Sequence, residues 1–305
     1  MTRMLKDRPW FNAALAWYFV TVWGSGFLAT KVGLQHAAPF TFLTLRFAFG
    51  LACVVPIVLV MQPRWPAGRE LGHVVVAGLL MHAVHLGGSH YTQYLGVSAG
   101  ITALILSAQP LITALIAVRW MGETLAARQW AGVIIGLAGV ALIVWHKVDV
   151  REASLASLVA VTVSLAGVTA GTLYQRVYCP LVDLRSAAAV QFAATIAVLA
   201  PLAWAFEDMQ VDWSWQLAGS ILFLVIGASL LAVSALHTLM RRGQATRVTS
   251  LLYLTPIFAV GLELAMFGVI PSALSLAGIA VTCLGVALVT WQTSLSARSA
   301  RASRL

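Results

Sequence analysis

Charge is the scarcest commodity in this chain. Only 10% of its 305 residues are Asp, Glu, Lys or Arg, while 60% are hydrophobic, and the mean hydropathy is +0.90. A water-soluble domain carries roughly 25% charged residues, so too few are present here to clothe a surface facing water. Apolar runs of about 20 residues, the length that spans a bilayer core as a helix, recur from end to end. Backbone in lipid must satisfy its own hydrogen bonds, which leaves helices or a closed barrel. A barrel would show segments of about 10 residues alternating in polarity. Runs such as AGVIIGLAGVALIVW do not alternate. The expected fold class is therefore an all-α integral membrane protein.

Other absences narrow the function. There are three cysteines, Cys53, Cys179 and Cys283, each isolated in or beside an apolar run. An odd number without CxxC spacing excludes a disulfide framework and a zinc site, leaving small packing residues. HExxH, GxSxG and paired intramembrane Asp are all missing, and Glu263 is the sole carboxylate inside a span. A membrane enzyme needs a nucleophile with a base, two carboxylates or a metal set. No enzyme and no cofactor are therefore expected. The net charge of +9 comes from basic residues scattered singly over short loops, so no nucleic-acid partner is expected. There is no low-complexity linker and no room for a soluble domain between spans. The N-terminus MTRMLKDRPW is basic but lacks a small-residue cleavage site, so residues 11 onward read as a retained first span.

What is present is ten apolar stretches, at 11–30, 40–61, 71–92, 98–118, 128–146, 154–174, 185–205, 215–238, 247–267 and 274–293. With the N-terminus in the cytoplasm, fifteen of the nineteen Lys and Arg fall on that side. This is the asymmetry expected of inside loops, and it puts both termini in the cytoplasm. The chain also repeats itself. At an offset of 146, Pro110 meets Pro256, Gly122 meets Gly268, Gly132 meets Gly278, Gly139 meets Gly285 and Trp145 meets Trp291; at 145, Phe47 meets Phe192 and Pro56 meets Pro201. One membrane domain, 1–305, thus divides into copies at 1–149 and 150–305, each of five spans. An odd number of spans forces the second copy to enter from the opposite side. Such inverted repeats are the usual build of secondary transporters, with the substrate near the midplane. Two rivals are a polytopic membrane enzyme and a small-solute channel; saturable, selective solute flux would favour a carrier over both.

WGSGF (Trp23–Phe27) followed by Lys31, PFTFLTLRFAFG (Pro39–Gly50) with Arg46, the run at Gln109–Pro110, the Gly122–Glu123 pair and GLAGVALIVW together resemble the drug/metabolite transporter (DMT) superfamily, EamA type. The resemblance covers nearly all ten spans. Within that superfamily, the third span and TLYQRVY are similar to the aromatic amino-acid exporters. The resemblance implies an inverted five-plus-five architecture and export of amino acids or similar metabolites through the cytoplasmic membrane. It departs at Gly268, which is followed by Val269 where the second copy often has Glu.

Polar groups inside a membrane are costly and mark a pathway or a bundle interior. The third span holds the densest set, with His82, His85 and Ser89 on one helix face. They read either as satisfied interior histidines or as the lining of a substrate cavity. No further ligand stands at metal spacing. Gly87–Gly88 on the same span reads as helix packing or as a hinge. Trp17, Gln109, Tyr253 and Thr255 complete the expected cavity set, Trp17 with helix or lipid packing as its other reading. Pro110 and Pro256, equivalent in the two copies, are expected to kink their helices, as hinges or as static bends. Arg46 and Glu263 lie at similar depth from the outer face and either pair or snorkel separately. The expected partners are a small-molecule substrate, an amino acid or similar metabolite, and the lipid bilayer.

Overall fold

A computed structural model describes residues 9–120, 122, 124–149, 154–241 and 255–290. Ten helices run in order among them: α1 (Pro9–Gly33), α2 (Pro39–Met61), α3 (Arg69–Tyr94), α4 (Ala99–Trp120), α5 (Ala127–Asp149), α6 (Leu155–Tyr178), α7 (Leu184–Phe206), α8 (Trp215–Leu222, continuing through Phe223–Ala232 to Val233–Arg241), α9 (Thr255–Phe267) and α10 (Ala273–Thr290). Seven of them are long and apolar enough to cross a membrane, and Ala127–Leu142, Thr255–Phe267 and Ala273–Leu288 are shorter apolar helical runs. The ten helices fall in order on the ten expected spans, the first part of the ninth lying outside the described residues. The described residues hold no strand, only one isolated bridge between Ala37 and Val211.

The helix ends follow from local chemistry. α2 begins at Pro39, whose missing N–H costs nothing in a first turn, and ends where Gln62 turns left-handed at φ 40°. Ser154, Asp183 and Ser214 cap α6, α7 and α8 by accepting backbone N–H groups with their side chains. Gly122 and Gly268, paired by the repeat, have φ of +69° and +66°. The same left-handed turn therefore closes the fourth span of each copy, which explains a glycine at both positions.

The helices gather into two compact units, and each unit draws on both sequence halves. The first comprises Met1–Leu28, Ala99–Arg151 and Leu230–Leu305; the second comprises Ala29–Ser98 and Glu152–Ser229.

In the first unit α5 lies against α10. A Cβ built on Gly285 would overlap the Gly136 backbone and stand 2.6 Å from Gly132 O. One on Gly139 would meet Thr282 Oγ1 at 2.6 Å and Gly278 O at 3.0 Å. Small residues let the two backbones touch. The pairing is reciprocal: Gly132 meets Gly285, the equivalent of Gly139, and Gly139 meets Gly278, the equivalent of Gly132. Reciprocal contacts of this kind are the mark of a two-fold axis, and they require the equivalent helices to run antiparallel. α4 and α9, also equivalents, pack beside them. There Glu263 of α9 accepts from Ala99 N (3.1 Å) and Gly100 N (2.9 Å), the orphan donors at the start of α4. Leu28, Ala99, Ala103 and Ala259 form an apolar core next to that carboxylate.

The second unit repeats the logic with α2 and α7. Glu207, at the end of α7, accepts from Phe40 N (2.8 Å), Thr41 N (2.7 Å) and Thr41 Oγ1 (2.7 Å) at the start of α2. At the other end Ser186 Oγ donates to Arg64 O (2.7 Å). In each unit, then, a carboxylate from the second copy neutralises the positive end of the equivalent helix in the first. α3 packs on α6 through small residues. A Cβ on Gly88 would stand 2.6 Å from Ala160 O, and one on Gly167 would stand 2.8 Å from Val84 Cγ1 and 3.0 Å from Leu80 O.

Both third spans carry a π-helical stretch, Leu79–Val84 in α3 and Phe223–Ala232 in α8. An offset of 145 maps the first into the second. Such insertions widen a helix turn, re-aim its side chains and gather at functional sites.

Candidate functional site

The π stretch of α3 presents His82, and the turn after it presents His85. Both lie in the second unit, among side chains from α2, α6 and α7. His82 sits between two rings, 5.2 Å from Phe47 and 5.6 Å from Phe192, which are themselves 5.2 Å apart. Phe47 and Phe192 are equivalents in the repeat, so the histidine stands beside a local pseudo-symmetric pair. The residue preceding each phenylalanine is polar: Arg46 in α2 and its equivalent Gln191 in α7, each only 8% exposed.

Hydrogen bonds tie these groups into a line. His82 Nε2 lies 3.4 Å from Gln191 Oε1, and Gln191 Nε2 donates to Gln175 Oε1 at 3.4 Å. The amide acts in one direction along the line, so His82 Nε2 carries the hydrogen as assigned. His85 is fixed separately. Ser164 Oγ donates to His85 O (2.7 Å), which leaves the Ser164 hydroxyl oxygen to accept from His85 Nδ1 at 2.9 Å; Ser164 O lies 3.2 Å from the same nitrogen. Two acceptors facing Nδ1 place the proton there and leave Nε2 as an acceptor. The cluster thus offers neutral donors and acceptors beside aromatic faces. That chemistry suits recognition of a small polar molecule rather than bond making.

Arg46 donates from Nη2 to Ser229 Oγ at 3.5 Å, and its guanidinium lies 5.8 Å from the Phe47 ring centroid. Its Nε is buried without a hydrogen-bond partner among the described residues. Arg46 belongs to the second unit and Glu263 to the first.

The remaining expected site residues are placed as follows. Trp17, 46% exposed, meets the Phe258 ring edge-on at 6.3 Å in the first unit. Thr255 is buried there, and its Oγ1 has no partner among the described residues. Gln109 is half-buried and opens the second helical segment of α4 (Gln109–Trp120). Tyr253 lies outside the described residues. Pro110 follows a break in α4: Ala99–Leu106 stops, Ser107–Ala108 turn, and Gln109–Trp120 resumes. Pro256 is the second residue of α9, and what precedes Thr255 lies outside the described residues. Gly88 packs against the α6 backbone. Ser89 is buried, and its neighbour His90 approaches Thr30 Oγ1 through Nε2 at 3.4 Å.

Three partners were not singled out from the sequence: Gln191, Gln175 and Ser164. Gln191 had a signal. The offset that matches Phe47 with Phe192 also matches Arg46 with Gln191, so polar residues fall at equivalent places next to two rings that touch. A further group, His73 with Tyr174 and Tyr178, lies where α3 starts and α6 ends. His73 Nδ1 is 2.8 Å from Tyr174 Oη and its ring stacks on Tyr178 at 4.8 Å. The three cysteines are free thiols. Burial, then the negative charge of Glu70, push the Cys179 thiol up, which keeps it protonated and unreactive. Among the described residues no group of three or more His, Cys, Asp and Glu could hold a metal ion.

Comparison with known proteins adds a family. The EamA-like transporter family matches residues 10–145 and again residues 154–291. The chain is 24% identical over 283 residues to the uncharacterized inner membrane transporter YedA of Escherichia coli (strain K12), covering 92% of this chain and 90% of that protein. It is 22% identical over 284 residues to a probable amino-acid metabolite efflux pump of Salmonella typhimurium, covering 89% and 92%. A solved crystal structure shares the fold at a TM-score of 0.65 and 18% identity, over 93% of this chain and 98% of the other.

Proposed function

The chain belongs to the EamA-like transporter family, and on that premise we propose that it exports amino acids or similar small metabolites across the cytoplasmic (inner) membrane by alternating access. Both termini face the cytoplasm in this reading, as the distribution of Lys and Arg requires. The observation that carries the proposal is the polar line His82–Gln191–Gln175 with His85–Ser164 and Arg46, built into helices otherwise apolar enough to span a bilayer. Buried polar groups without catalytic partners are expensive in a membrane and persist where a solute must shed water. The inverted repeat gives the mechanical basis, since two pseudo-symmetric halves can exchange conformations and open a central site to either side. A relative named as an amino-acid metabolite efflux pump supports that substrate class.

The test is counterflow in proteoliposomes against a panel of amino acids, nucleosides and cationic drugs. Saturable exchange of amino acids, reduced by Gln191→Ala and His82→Ala, is expected. Unsaturable flux would indicate a channel, and no exchange of any amino acid would overturn the substrate class.

A further inference from the structure

Arg46 carries a charge in the wrong place for a purely structural residue. It lies eight residues into α2, about 10 Å along the helix from Pro39 at 1.5 Å per residue, and is 8% exposed. Among the described residues its hydrogen bonding consists of one long contact with a neutral hydroxyl, Ser229 Oγ at 3.5 Å, and Nε has no partner. Four carboxylates of its own unit are engaged elsewhere. Glu70 pairs with Arg64, Asp183 with Arg185 and Asp212 with His36, while Glu207 caps α2. A buried cation that lacks a counter-ion is a costly species, and proteins keep one only where something compensates it. Its surroundings are laid out for a ligand. The planar fork of guanidinium donors matches the two oxygens of a carboxylate. Phe47 lies under the guanidinium, and Phe47, His82 and Phe192 form an aromatic wall beside it. Gln191, the two-fold equivalent of Arg46, gives the opposite copy a neutral amide at the same place.

We propose that Arg46 is a substrate-binding residue whose guanidinium takes the carboxylate of the transported molecule, with the apolar part of that molecule against Phe47 and Phe192. A single cation fits a monoanionic carboxylate in preference to a phosphate ester, which carries more charge. The proposal rests on the transport reading above, and its test includes a binding measurement that does not depend on flux.

The experiment uses the full chain purified in detergent, as wild type and as Arg46→Gln and Arg46→Lys. Probes are L-leucine, L-phenylalanine, L-threonine and L-aspartate, the amides of the first two, and phenyl phosphate. Binding is read by ligand-induced thermal stabilisation and equilibrium dialysis. At least one acid should bind wild type and lose roughly 10- to 100-fold in affinity in R46Q, the range for a hydrogen-bonded charged group. Its amide should bind wild type no better than the acid binds R46Q, and R46K should keep part of the affinity. Ligand-free R46Q should also melt at or above the wild-type temperature, because it removes an uncompensated buried charge; a structural role predicts the reverse. Equal affinity of acid and amide, unchanged affinity in R46Q, stronger binding of phenyl phosphate than of any acid, failure of every acid to bind, or a ligand-free R46Q that melts lower would each overturn the proposal. Carboxylate-dependent binding without counterflow would sustain it while sinking the transport reading.

Discussion

Adjacent glycines on α3 separate packing from helix propensity within one experiment. Gly87 and Gly88 sit in the same turn, next to the histidines, and the sequence allowed either helix packing or a hinge. Alanine at either position gains roughly 0.5–1 kcal/mol from reduced backbone freedom, so that contribution cancels in the comparison. The surroundings differ. A Cβ at Gly87 would have Phe40 Cε1 as its nearest neighbour at 3.7 Å, an ordinary contact. At Gly88 it would stand 2.6 Å from Ala160 O, 3.0 Å from Ser164 Cβ and 3.1 Å from Ser164 N. Two of these are backbone atoms, so α6 itself must retreat by several tenths of an ångström. Overpacking of this kind costs about 1–3 kcal/mol, and that is the expected gap between the two variants. At about 2–4 °C per kcal/mol for a domain of 150–250 residues, Gly88→Ala should melt roughly 2–12 °C below Gly87→Ala, measured by thermal unfolding in detergent with monodisperse protein as the readout. The retreat also moves Ser164, which fixes the ring of His85, so Gly88→Ala should lose solute exchange while Gly87→Ala keeps it. Coincident melting temperatures would show that α3 and α6 are not in backbone contact and that Gly88 serves as a hinge.

Gly285→Ala should destabilise the α5–α10 crossing by about 1–3 kcal/mol, since the methyl would overlap the Gly136 backbone, whereas Gly261→Ala, with open space around it, should be neutral or slightly stabilising in the same melting assay. Glu263→Ala strands the amides of Ala99 and Gly100, at about 1–3 kcal/mol for each buried unsatisfied group. Glu263→Gln should recover part of the loss, and a double-mutant cycle with Arg46→Ala should be additive within about 0.5 kcal/mol; strong coupling would instead favour a pair between the two charges. Hydrogen bonds from Arg185 hold the Asp183 carboxyl below the usual carboxylate range, so its contribution is present above the unfolded value of about 3.9 and is lost as pH falls through the folded one. The pair lies at the surface, with the Asp183 side chain 25% and that of Arg185 41% exposed, so the effect is about 0–1 kcal/mol, and Asp183→Asn should flatten that part of the stability–pH curve.

The spans were legible in the sequence because their cause is local. A run of about 20 apolar residues either crosses the bilayer or fails, whatever its neighbours do. The repeat was legible because glycine and proline are pinned by backbone demands: Gly122 and Gly268 share a left-handed turn, and Pro56 and Pro201 lie inside equivalent helices. His82 and His85 were legible for a related reason, since an imidazole in an apolar run needs a partner wherever it goes. The identity of the partner was a different matter. Ser164 and Gln175 are small or neutral polar residues that could equally have satisfied their own helix backbone, and nothing within α6 tells the two fates apart. Depth is one coordinate of three: it says that Arg46 and Glu263 lie at comparable levels, not that helix N-termini compete for the carboxylate.

That competition for carboxylates follows from the inverted build. Equivalent helices lie antiparallel in α2 with α7, α4 with α9 and α5 with α10, so the end of a second-copy helix always comes to rest beside the start of its first-copy twin. Strict symmetry would require reciprocal caps on both members of each pair. The chain breaks it: Glu207 and Glu263 belong to the second copy and serve the first. The same asymmetry appears beside His82, where one copy offers Arg46 and the other Gln191 at the equivalent place. On the proposal that Arg46 takes a carboxylate, two identical groups could not tell the ends of a zwitterion apart. Placing the charge on one copy and the amide on the other gives that site a direction.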